Sequence, residues 1–250
     1  MLDGKVPAYK VSFITVNFNN YFGLEKTLKK LIELKNLADH HTIELILIDG
    51  FSGKKDIDVI EKYRNFLDIV IIEKDSGIYD AMNKGINLAS GFYLNFMNSG
   101  DIPVVHNMKK FIDKMDDKKS IFYGNGLWTE RVSGLFINKI SSFWMKMPNH
   151  QAMFIPLEYH KNNLYDETFP IAADLQFKLK AYKELNFFHH NIDIVLSEPG
   201  GASQTIKSFK DLLNRANEIR LIALINNGYI ASYINYIKFI VWHSRRLIFK

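Results

Sequence analysis

The chain has 250 residues, and 47% of them are hydrophobic, which suits one substantial core in a single α/β domain with or without an appendage. The absence of cysteine excludes disulfides, thiolate metal sites and cysteine nucleophiles, so a metal would need oxygen or imidazole ligands. The formal net charge of +5 indicates acidic partners, and the lack of a compact basic stripe argues against nucleic acid among them.

Apolar runs alternate with helical patterns over the first hundred residues. The runs begin at Val11, Ile43, Ile69 and Phe92. They suit parallel strands that are buried on both faces. Between the first two runs, Leu24, Leu28 and Leu31 recur at the i, i+3, i+4 spacing of a helix that packs one stripe on a sheet. The alternation predicts an α/β fold with a mostly parallel central sheet flanked by helices.

A polar residue follows each of these runs. The four residues are Asn17, Asp49, Asp75 and Asp101. In an open parallel sheet the carboxyl ends of the strands line one edge, where ligands bind. Turns and helix caps also favour Asp and Asn, so a structural role is an equal alternative for any single one of them. Four in step indicate one polar cleft.

The second half of the chain has a looser pattern. We predict a helix carrying Leu175, Leu179 and Tyr182, and a strand beginning at Ile192 or Asp193. From about Phe209 the spacing predicts two C-terminal helices separated by Asn226-Asn227-Gly228. His189 and His190 are interpreted as surface or strand-edge residues. The predicted domains are an α/β domain at residues 1–207 and a C-terminal helical segment at residues 208–250.

Two common phosphate-binding motifs are absent from the sequence. No GxGxxG follows the first run, and no GxxxxGK[ST] occurs. A carboxylate at the end of a strand offers another solution, because it can hold Mg²⁺ or Mn²⁺ against the two phosphates of a nucleotide sugar. Asp101, in the segment NSGD, is the candidate ligand, although a lone Asp in such a turn is more often a cap.

Six segments of the chain, in this order, resemble a family 2 glycosyltransferase. They are TVNFNN, LILIDGFS, EKDSGIYDAMNKGINLASGFYLNFMNSGD, NHQAMF, IAAD and PGGAS, spanning roughly residues 10 to 205. The resemblance implies the nucleotide-sugar-binding fold called GT-A. It also implies an inverting enzyme that transfers a sugar from a nucleotide-diphosphate sugar, with UDP favoured over GDP or dTDP, to a saccharide hydroxyl. The enzymes it resembles build bacterial surface polysaccharides of the capsule, O-antigen or colanic acid type, often on lipid-linked acceptors.

The resemblance also implies a donor site. Thr15, Asn17 and Asp49 would meet the base and ribose of the nucleotide. The nucleotide and sugar would be lined by Asp75, Asp80, Asn83, Lys84 and Ser99. Asp101 would bind the divalent metal, Mn²⁺ or Mg²⁺.

The remaining roles lie on the acceptor side. Asp174 in IAAD matches the general base, which would take the proton from the acceptor hydroxyl as that oxygen attacks the anomeric carbon. Its structural alternative is a helix N-cap. Acceptor or phosphate contacts are implied for His150 and Gln151, and a loop that closes over the diphosphate is implied for Gly200, Gly201 and Ser203.

Three positions depart from the commoner family pattern. Asn98 stands where many members begin an Asp-x-Asp motif, so metal dependence is open. Met82 stands where many have Arg, which would leave Lys84 to supply the positive charge. Ala173 stands where many have Glu, although the neighbouring base at Asp174 is kept.

The C-terminal residues 229–250 combine isoleucines with Trp242 and basic residues, as an interfacial membrane helix does. The equal alternative is a helix packed on the domain or on a second copy of the chain. The first residues, MLDGKVPAYK, contain no apolar segment of a secretory signal, and no run reaches the ~18 apolar residues of a membrane-spanning helix. We therefore expect a cytoplasmic protein, peripheral on the inner face of the cell membrane if the tail binds lipid.

Two other functions compete with the transferase. A sugar-phosphate nucleotidyltransferase shares the α/β design but needs a Gly- and Arg-rich loop after the first strand, and TVNFNNYFGLEK is not such a loop. A non-catalytic nucleotide- or glycan-binding module of the same fold is kept open by the departures at Asn98 and Ala173.

Overall fold

A mixed β-sheet organises the protein. The computed structural model describes residues 9–39, 42–115, 119–129, 136–137, 148–197 and 208–248. The strands in these ranges are β1 (Val11–Asn17), β2 (Ile43–Asp49), β3 (Ile69–Ile72), β4 (Tyr93–Phe96), β5 (Asp101–Pro103), β6 (Ile121–Thr129), β7 (Phe136–Ile137), β8 (Met153–Pro156) and β9 (Phe187–Ser197). The α-helices are α1 (Tyr21–Leu37), α2 (Lys54–Tyr63), α3 (Ile78–Leu88), α4 (Val105–Asp113), α5 (Leu157–Lys161), α6 (Ala173–Glu184) and α7 (Phe209–Ile248).

The sheet changes character along its strand order, which is β3-β2-β1-β4-β8-β6-β9-β5, with β7 beside β6. The four strands of the first half, β3, β2, β1 and β4, pair in parallel. Strand β8 then joins β4 antiparallel, and β6 joins β8 antiparallel. Strand β9 is parallel to β6 and antiparallel to β5. The predicted α/β class with a helix-flanked central sheet is confirmed, and the antiparallel pairs belong to the half where the sequence pattern loosens.

The helices of the first half pack on β1 and β2, whose residues are all buried. Leu24 and Leu28 of α1 form one apolar cluster with Leu47 of β2 and with residues of α2. Helix α3 lies close to β1 at Gly85, where an added Cβ would be only 2.5 Å from Ile14 Cγ2. Glycine therefore permits the close contact that holds α3 on the sheet.

Strand β9 begins at Phe187, earlier than the predicted start at Ile192 or Asp193. Its additional residues pack on neighbouring rings: His190 stacks on Phe122 at 5.7 Å between ring centroids, and His189 stacks on Tyr123 at 4.8 Å. Ring packing and pairing with β6 extend the strand through a sequence that lacks strand alternation. His189 is exposed, as predicted, whereas His190 is half-buried.

The chain divides into two compact units. The first comprises Met1–Leu164 and Leu185–Glu198 and contains the sheet, and the second comprises Tyr165–Glu184 and Pro199–Lys250 and contains α6 and α7. The predicted interruption at Asn226-Asn227-Gly228 is wrong, because α7 continues through it and the Asn226 side chain donates to the Ile222 carbonyl one turn earlier. The predicted boundary at residue 207 lies outside the described residues and stays a prediction.

Candidate active site

The carboxyl ends of β1 and β2 carry a buried polar cluster. Asn17 and Asp49 are partners in the parallel register, and Asn17 Nδ2 donates to Asp49 Oδ2 at 2.7 Å. The same Nδ2 atom donates to Asp56 Oδ1 at 3.0 Å. Asp56 lies in the first turn of α2. One amide group therefore joins two buried carboxylates from different elements, and the structure brings Asn17 and Asp49 together as predicted.

Sequence reasoning missed Asp56. An acidic residue in the first turn of a helix is expected from the helix dipole alone, so its position gives no functional signal. The available signal was that Asp56 follows the second strand end, at Asp49, by less than two helical turns.

Asp49 is fully buried, and both of its oxygens accept hydrogen bonds from the protein. Besides the bond from Asn17, Asp49 Oδ1 accepts from the Ser52 backbone amide at 2.7 Å. Thr15 lies two residues before Asn17 in β1 and is also buried. Within the described residues, Asn17 Oδ1 is a buried acceptor without a hydrogen-bond partner. In this structure the cluster thus has an unused acceptor on Asn17, while Asp49 orients the amide that carries it.

Asp75 reaches the same edge from the segment after β3. A Cβ at Gly50 would lie 2.5 Å from Asp75 Oδ2 and 3.1 Å from the Phe18 ring, so only glycine lets these two side chains approach the backbone here. The Gly77 amide donates to Asp75 Oδ1 at 3.1 Å. Partial burial raises the pKa of Asp75 against the lowering effect of the Gly77 amide, and the negative charges of Asp80 and, to a smaller extent, Asp49 add to the increase.

Lys84 forms ion pairs at the start of α3. Its ammonium group lies 2.8 Å from Glu73 and 3.2 Å from Asp80, and the bond to Glu73 is the main cause of its raised pKa. Burial alone would raise the pKa of Asp80, but the Ser76 amide and Lys84 outweigh that effect and lower it. Asn83 is buried. The positive charge expected of Lys84 is therefore largely matched by its two acidic partners.

Met82 occupies the position where many family members have Arg. Its side chain is buried to 1% exposure in the core side of α3. An arginine would not fit this environment without a paired anion.

The NSGD turn, residues 98–101, is held in place by hydrogen bonds to α1 and to the residue that precedes it. Asn20 Nδ2 donates to the Ser99 carbonyl at 3.0 Å, and the Gly100 amide donates to Thr27 Oγ1 at 3.0 Å. Gly100 has a φ of 106°, a conformation that favours glycine. Within the described residues, Asn98 Oδ1 and Ser99 Oγ are buried and lack hydrogen-bond partners. The turn therefore offers polar atoms for a ligand.

Asp101 closes the turn and begins β5. Its Oδ1 accepts from Ser197 Oγ at 2.7 Å, and its Oδ2 accepts from the Asn98 backbone amide at 3.1 Å. The Gln151 side chain also donates to the carboxylate. Burial raises the pKa of Asp101 to about 6, against the lowering effect of these three donors. Asp101 is therefore bound by protein groups, and only 7% of its surface is exposed.

The His150-Gln151 segment lies beside this turn, as a short 3₁₀ turn before β8. Asn95 Nδ2 donates to the Gln151 carbonyl at 2.9 Å, and the Asn98 and His150 side chains are 3.2 Å apart between Nδ2 and Nε2. The structure thus joins two segments that the sequence could only place in order, NSGD and NHQAMF.

Asp174 lies in the second unit, in the first turn of α6. It is inside the helix, so its predicted alternative role as the N-cap is wrong. Its Oδ2 is 2.8 Å from Lys178 Nζ. Glu218 of α7 accepts from the Ile171 and Ala172 amides, both at 3.1 Å, at the start of α6. Burial raises the pKa of Glu218, and these two amides oppose that effect.

Several predicted residues lie outside the described part of the chain. Gly200, Gly201 and Ser203 are among them, and so are the side chains of most of residues 229–250.

The residues around Asp101 do not fit a metal site. Both carboxylate oxygens already accept from neutral donors, which a metal would have to displace. Among the described residues, no group of three or more His, Asp or Glu side chains is arranged to hold an ion. Mg²⁺ and Mn²⁺ can bind to one or two protein carboxylates when substrate phosphates complete their oxygen ligands, so it is the bonds already made to both Asp101 oxygens that disfavour a metal here.

The fold places a buried polar cluster at the carboxyl ends of parallel strands, which is the edge where α/β enzymes of this design bind their ligands. Residues 12–177 match the sequence model of Glycosyl transferase family 2. The chain therefore belongs to glycosyl transferase family 2, and it is a glycosyltransferase. This assignment supports a transferase over the sugar-phosphate nucleotidyltransferase and the non-catalytic module.

Similar proteins agree with this assignment. An uncharacterized glycosyltransferase of Mycobacterium tuberculosis is 31% identical over 183 residues, which are 68% of each protein. A PGL/p-HBAD biosynthesis glycosyltransferase of Mycobacterium bovis is 26% identical over 191 residues, 69% of this chain and 72% of that protein.

Two solved structures share the fold. Residues 1–349 of TarS from S. aureus, in complex with UDP-GlcNAc, align with a TM-score of 0.67 at 17% identity, over 94% of this chain and 72% of that TarS fragment. The mannosyltransferase PcManGT from Pyrobaculum calidifontis, in complex with GDP-Man and Mn²⁺, aligns with a TM-score of 0.65 at 10% identity, over 97% of this chain and 76% of the PcManGT chain. The GT-A fold expected from the sequence is confirmed.

Proposed function

We propose that this enzyme transfers a sugar from a UDP-sugar to a hydroxyl of a lipid-linked saccharide, with inversion, in surface polysaccharide assembly. The observation that carries the proposal is the buried cluster in which Asn17 joins Asp49 and Asp56 at the strand edge. Its unused Asn17 oxygen is suited to accept from a base N–H. Similar proteins support the substrate classes, since TarS was solved with UDP-GlcNAc and one relative is named for PGL/p-HBAD biosynthesis.

The donor site in this proposal extends along the strand edge. Phe18 is 64% exposed beside Gly50 and Asp75, so its ring can stack on the base. The ribose and sugar would meet Asp75 and Asp80, while Ser99 would contact the diphosphate side. Thr15 and Asn83 are buried beneath this surface and would support it. Lys84, held by Glu73 and Asp80, would offset part of the negative charge of these carboxylates.

Asp174 is proposed as the general base. It would remove the proton of the acceptor hydroxyl while the oxygen attacks the anomeric carbon from the face opposite the departing diphosphate, which inverts that carbon in one displacement. Its ion pair with Lys178 keeps the carboxylate in one orientation. His150 and Gln151 would orient the acceptor, and Gly200, Gly201 and Ser203 would form the closing loop.

The experiment has two stages. Thermal unfolding is first measured with UDP, GDP, dTDP and CMP, because a ligand that binds only the folded protein raises the midpoint according to its affinity. We expect the largest rise with UDP. A larger rise of the midpoint with another nucleotide would show that the donor carries that nucleotide instead of UDP. No rise with any nucleotide would contradict the proposed donor site.

The second stage tests the base. With UDP-sugar and acceptor, Asp174→Asn should lower transfer by about 10²-fold or more while leaving the UDP midpoint shift unchanged. Asp113→Asn is the matched control, because Asp113 also pairs with a lysine four residues away, Lys109, at the same 2.8 Å distance on an exposed helix face. Equal activity of Asp174→Asn and the control would exclude Asp174 as the base.

The C-terminal segment is proposed to contact the membrane surface. Within the described ranges, no helix combines the length and apolar character that a membrane crossing needs. The proposal rests on the sequence of residues 229–250, in which Trp242 and basic residues follow an isoleucine-rich stretch. Sedimentation with anionic vesicles but not neutral ones would support it. Sedimentation with neither, together with a dimeric mass in solution, would favour packing on a second copy.

A further inference from the structure

The strongest unexplained feature is the environment of Asp101, the residue that the family resemblance assigns to a metal. Asp101 and Ser197 are paired across β5 and β9, so their side chains are brought together by the sheet itself. The Ser197 hydroxyl donates to one carboxylate oxygen at 2.7 Å, and the Asn98 amide donates to the other at 3.1 Å. Gln151 supplies a further donor. These partners are fixed by backbone pairing and by the turn rather than by mobile side chains alone.

The groups around Asp101 connect two parts of the site. Gln151 is itself anchored, because Asn95 of β4 donates to its carbonyl at 2.9 Å. The backbone amide of Asn98 donates to Asp101, and the side-chain Nδ2 of Asn98 lies 3.2 Å from His150 Nε2. Loss of the carboxylate would remove the bond from Ser197 of β9 and the bond from the Gln151 side chain, while the contact between Asn98 and His150 would remain. Two oxygens of that turn, Asn98 Oδ1 and Ser99 Oγ, are buried and have no hydrogen-bond partner within the described residues.

We propose that Asp101 is a positioning residue rather than a metal ligand: it fixes the Asn98–Gly100 turn through Ser197 and Gln151, so that Asn98 Oδ1 and Ser99 Oγ face the nucleotide. The proposal rests on the proposed function for the use of a nucleotide as a probe. The Mn²⁺ and unfolding measurements below do not depend on that function.

The test compares chelation in the wild type and in Asp101→Asn. Affinity for UDP, or for whichever nucleotide gives the largest thermal shift, is measured by calorimetry with excess EDTA and with Mn²⁺. The ratio of the two dissociation constants should agree between the proteins within about threefold, because the substitution removes no metal ligand. A wild-type affinity that falls tenfold or more on chelation, with no such loss in Asp101→Asn, would overturn the proposal.

Ser197→Ala tests positioning without touching the carboxylate. It should weaken nucleotide binding by about the same factor as Asp101→Asn, with or without Mn²⁺. The matched control is Ser90→Ala, because the Ser90 hydroxyl also donates to a buried carboxylate, Glu44, at 2.8 Å in another part of the sheet. The control should lower the thermal midpoint and leave nucleotide affinity unchanged. Wild-type affinity in Ser197→Ala would overturn the positioning role.

If no nucleotide binds the wild type, the proposed function fails and two measurements still decide the role of Asp101. Electron paramagnetic resonance of Mn²⁺ with the full chain should show the same bound fraction in wild type and Asp101→Asn, and loss of bound Mn²⁺ only in Asp101→Asn would overturn the proposal. Thermal unfolding of Asp101→Asn, Ser197→Ala and the double variant should be non-additive, with the second substitution adding less than half of its separate effect. Additive shifts would also overturn it.

Discussion

Burial of His160 should make the stability of the enzyme fall in mild acid. His160 has 0% exposure in α5, and its Nδ1–H donates to the Asn163 carbonyl at 3.1 Å. The ring packs edge-on against Phe96 at 5.8 Å between centroids. Burial lowers the pKa of His160 from 6.5 to about 4. The folded protein therefore holds this imidazole neutral in a range where the unfolded chain protonates it.

The sign and size of the effect follow from proton linkage. As the pH falls below 6.5, the unfolded state takes up a proton at His160 that the folded state accepts only near pH 4, so the free energy of unfolding decreases. Between pH 8 and pH 5 the loss is about 2 kcal/mol, given the pKa values of 6.5 and about 4. Asp101, whose pKa is raised, changes stability in the opposite direction over the same range. A comparison with a variant is needed to separate the two.

The assay is urea unfolding of wild type and His160→Asn at pH 8 and pH 5. Asparagine keeps an N–H donor near the position of Nδ1 but does not titrate. The wild type should lose about 2 kcal/mol more than the variant on acidification. His160→Phe, which keeps a ring beside Phe96, should give the same difference despite another absolute stability. Equal pH dependence in wild type and both variants would refute the reasoning.

Two further predictions concern the strand edge and the start of the sheet. Asn17→Asp replaces the donor between Asp49 and Asp56 by a third carboxylate, so urea unfolding should show a loss of about 3 kcal/mol or more, and the nucleotide thermal shift should disappear. Wild-type stability would show that the cluster is not coupled as described. Gly91→Ala places a Cβ 2.8 Å from the Ser12 backbone nitrogen, so unfolding should show a loss of about 1–3 kcal/mol. An unchanged urea midpoint would mean that the backbone there yields easily.

The sequence predicted the first half of the fold well because its strands are buried on both faces. Continuous apolar runs marked β1 and β2, and the polar residues that end them, Asn17 and Asp49, lie together at the sheet edge. The antiparallel half was not predicted, since pairing between distant segments such as β5 and β9 leaves no local pattern. Register there depends on tertiary contacts rather than on periodicity.

The sequence predicted which residues belong to the candidate site better than it predicted the contacts between them. The resemblance identified Asp101 and Gln151, but it could not show that one side chain donates to the other. Likewise Lys84 was expected to supply positive charge, and its pairing with Glu73 depends on where β3 ends relative to α3. Such partnerships arise from the packing of elements, which composition and spacing do not encode.

The bonds from the Ile171 and Ala172 amides to Glu218 have a practical consequence for shortening the protein. Removing the C-terminal helix to obtain a smaller enzyme would delete the one described side chain that caps these amides, immediately before the helix of Asp174. An enzyme truncated before Phe209 would leave both amides without that carboxylate, and the orientation of Asp174 would suffer with them. Through Glu218, α7 is thus part of what holds the start of the helix that carries Asp174.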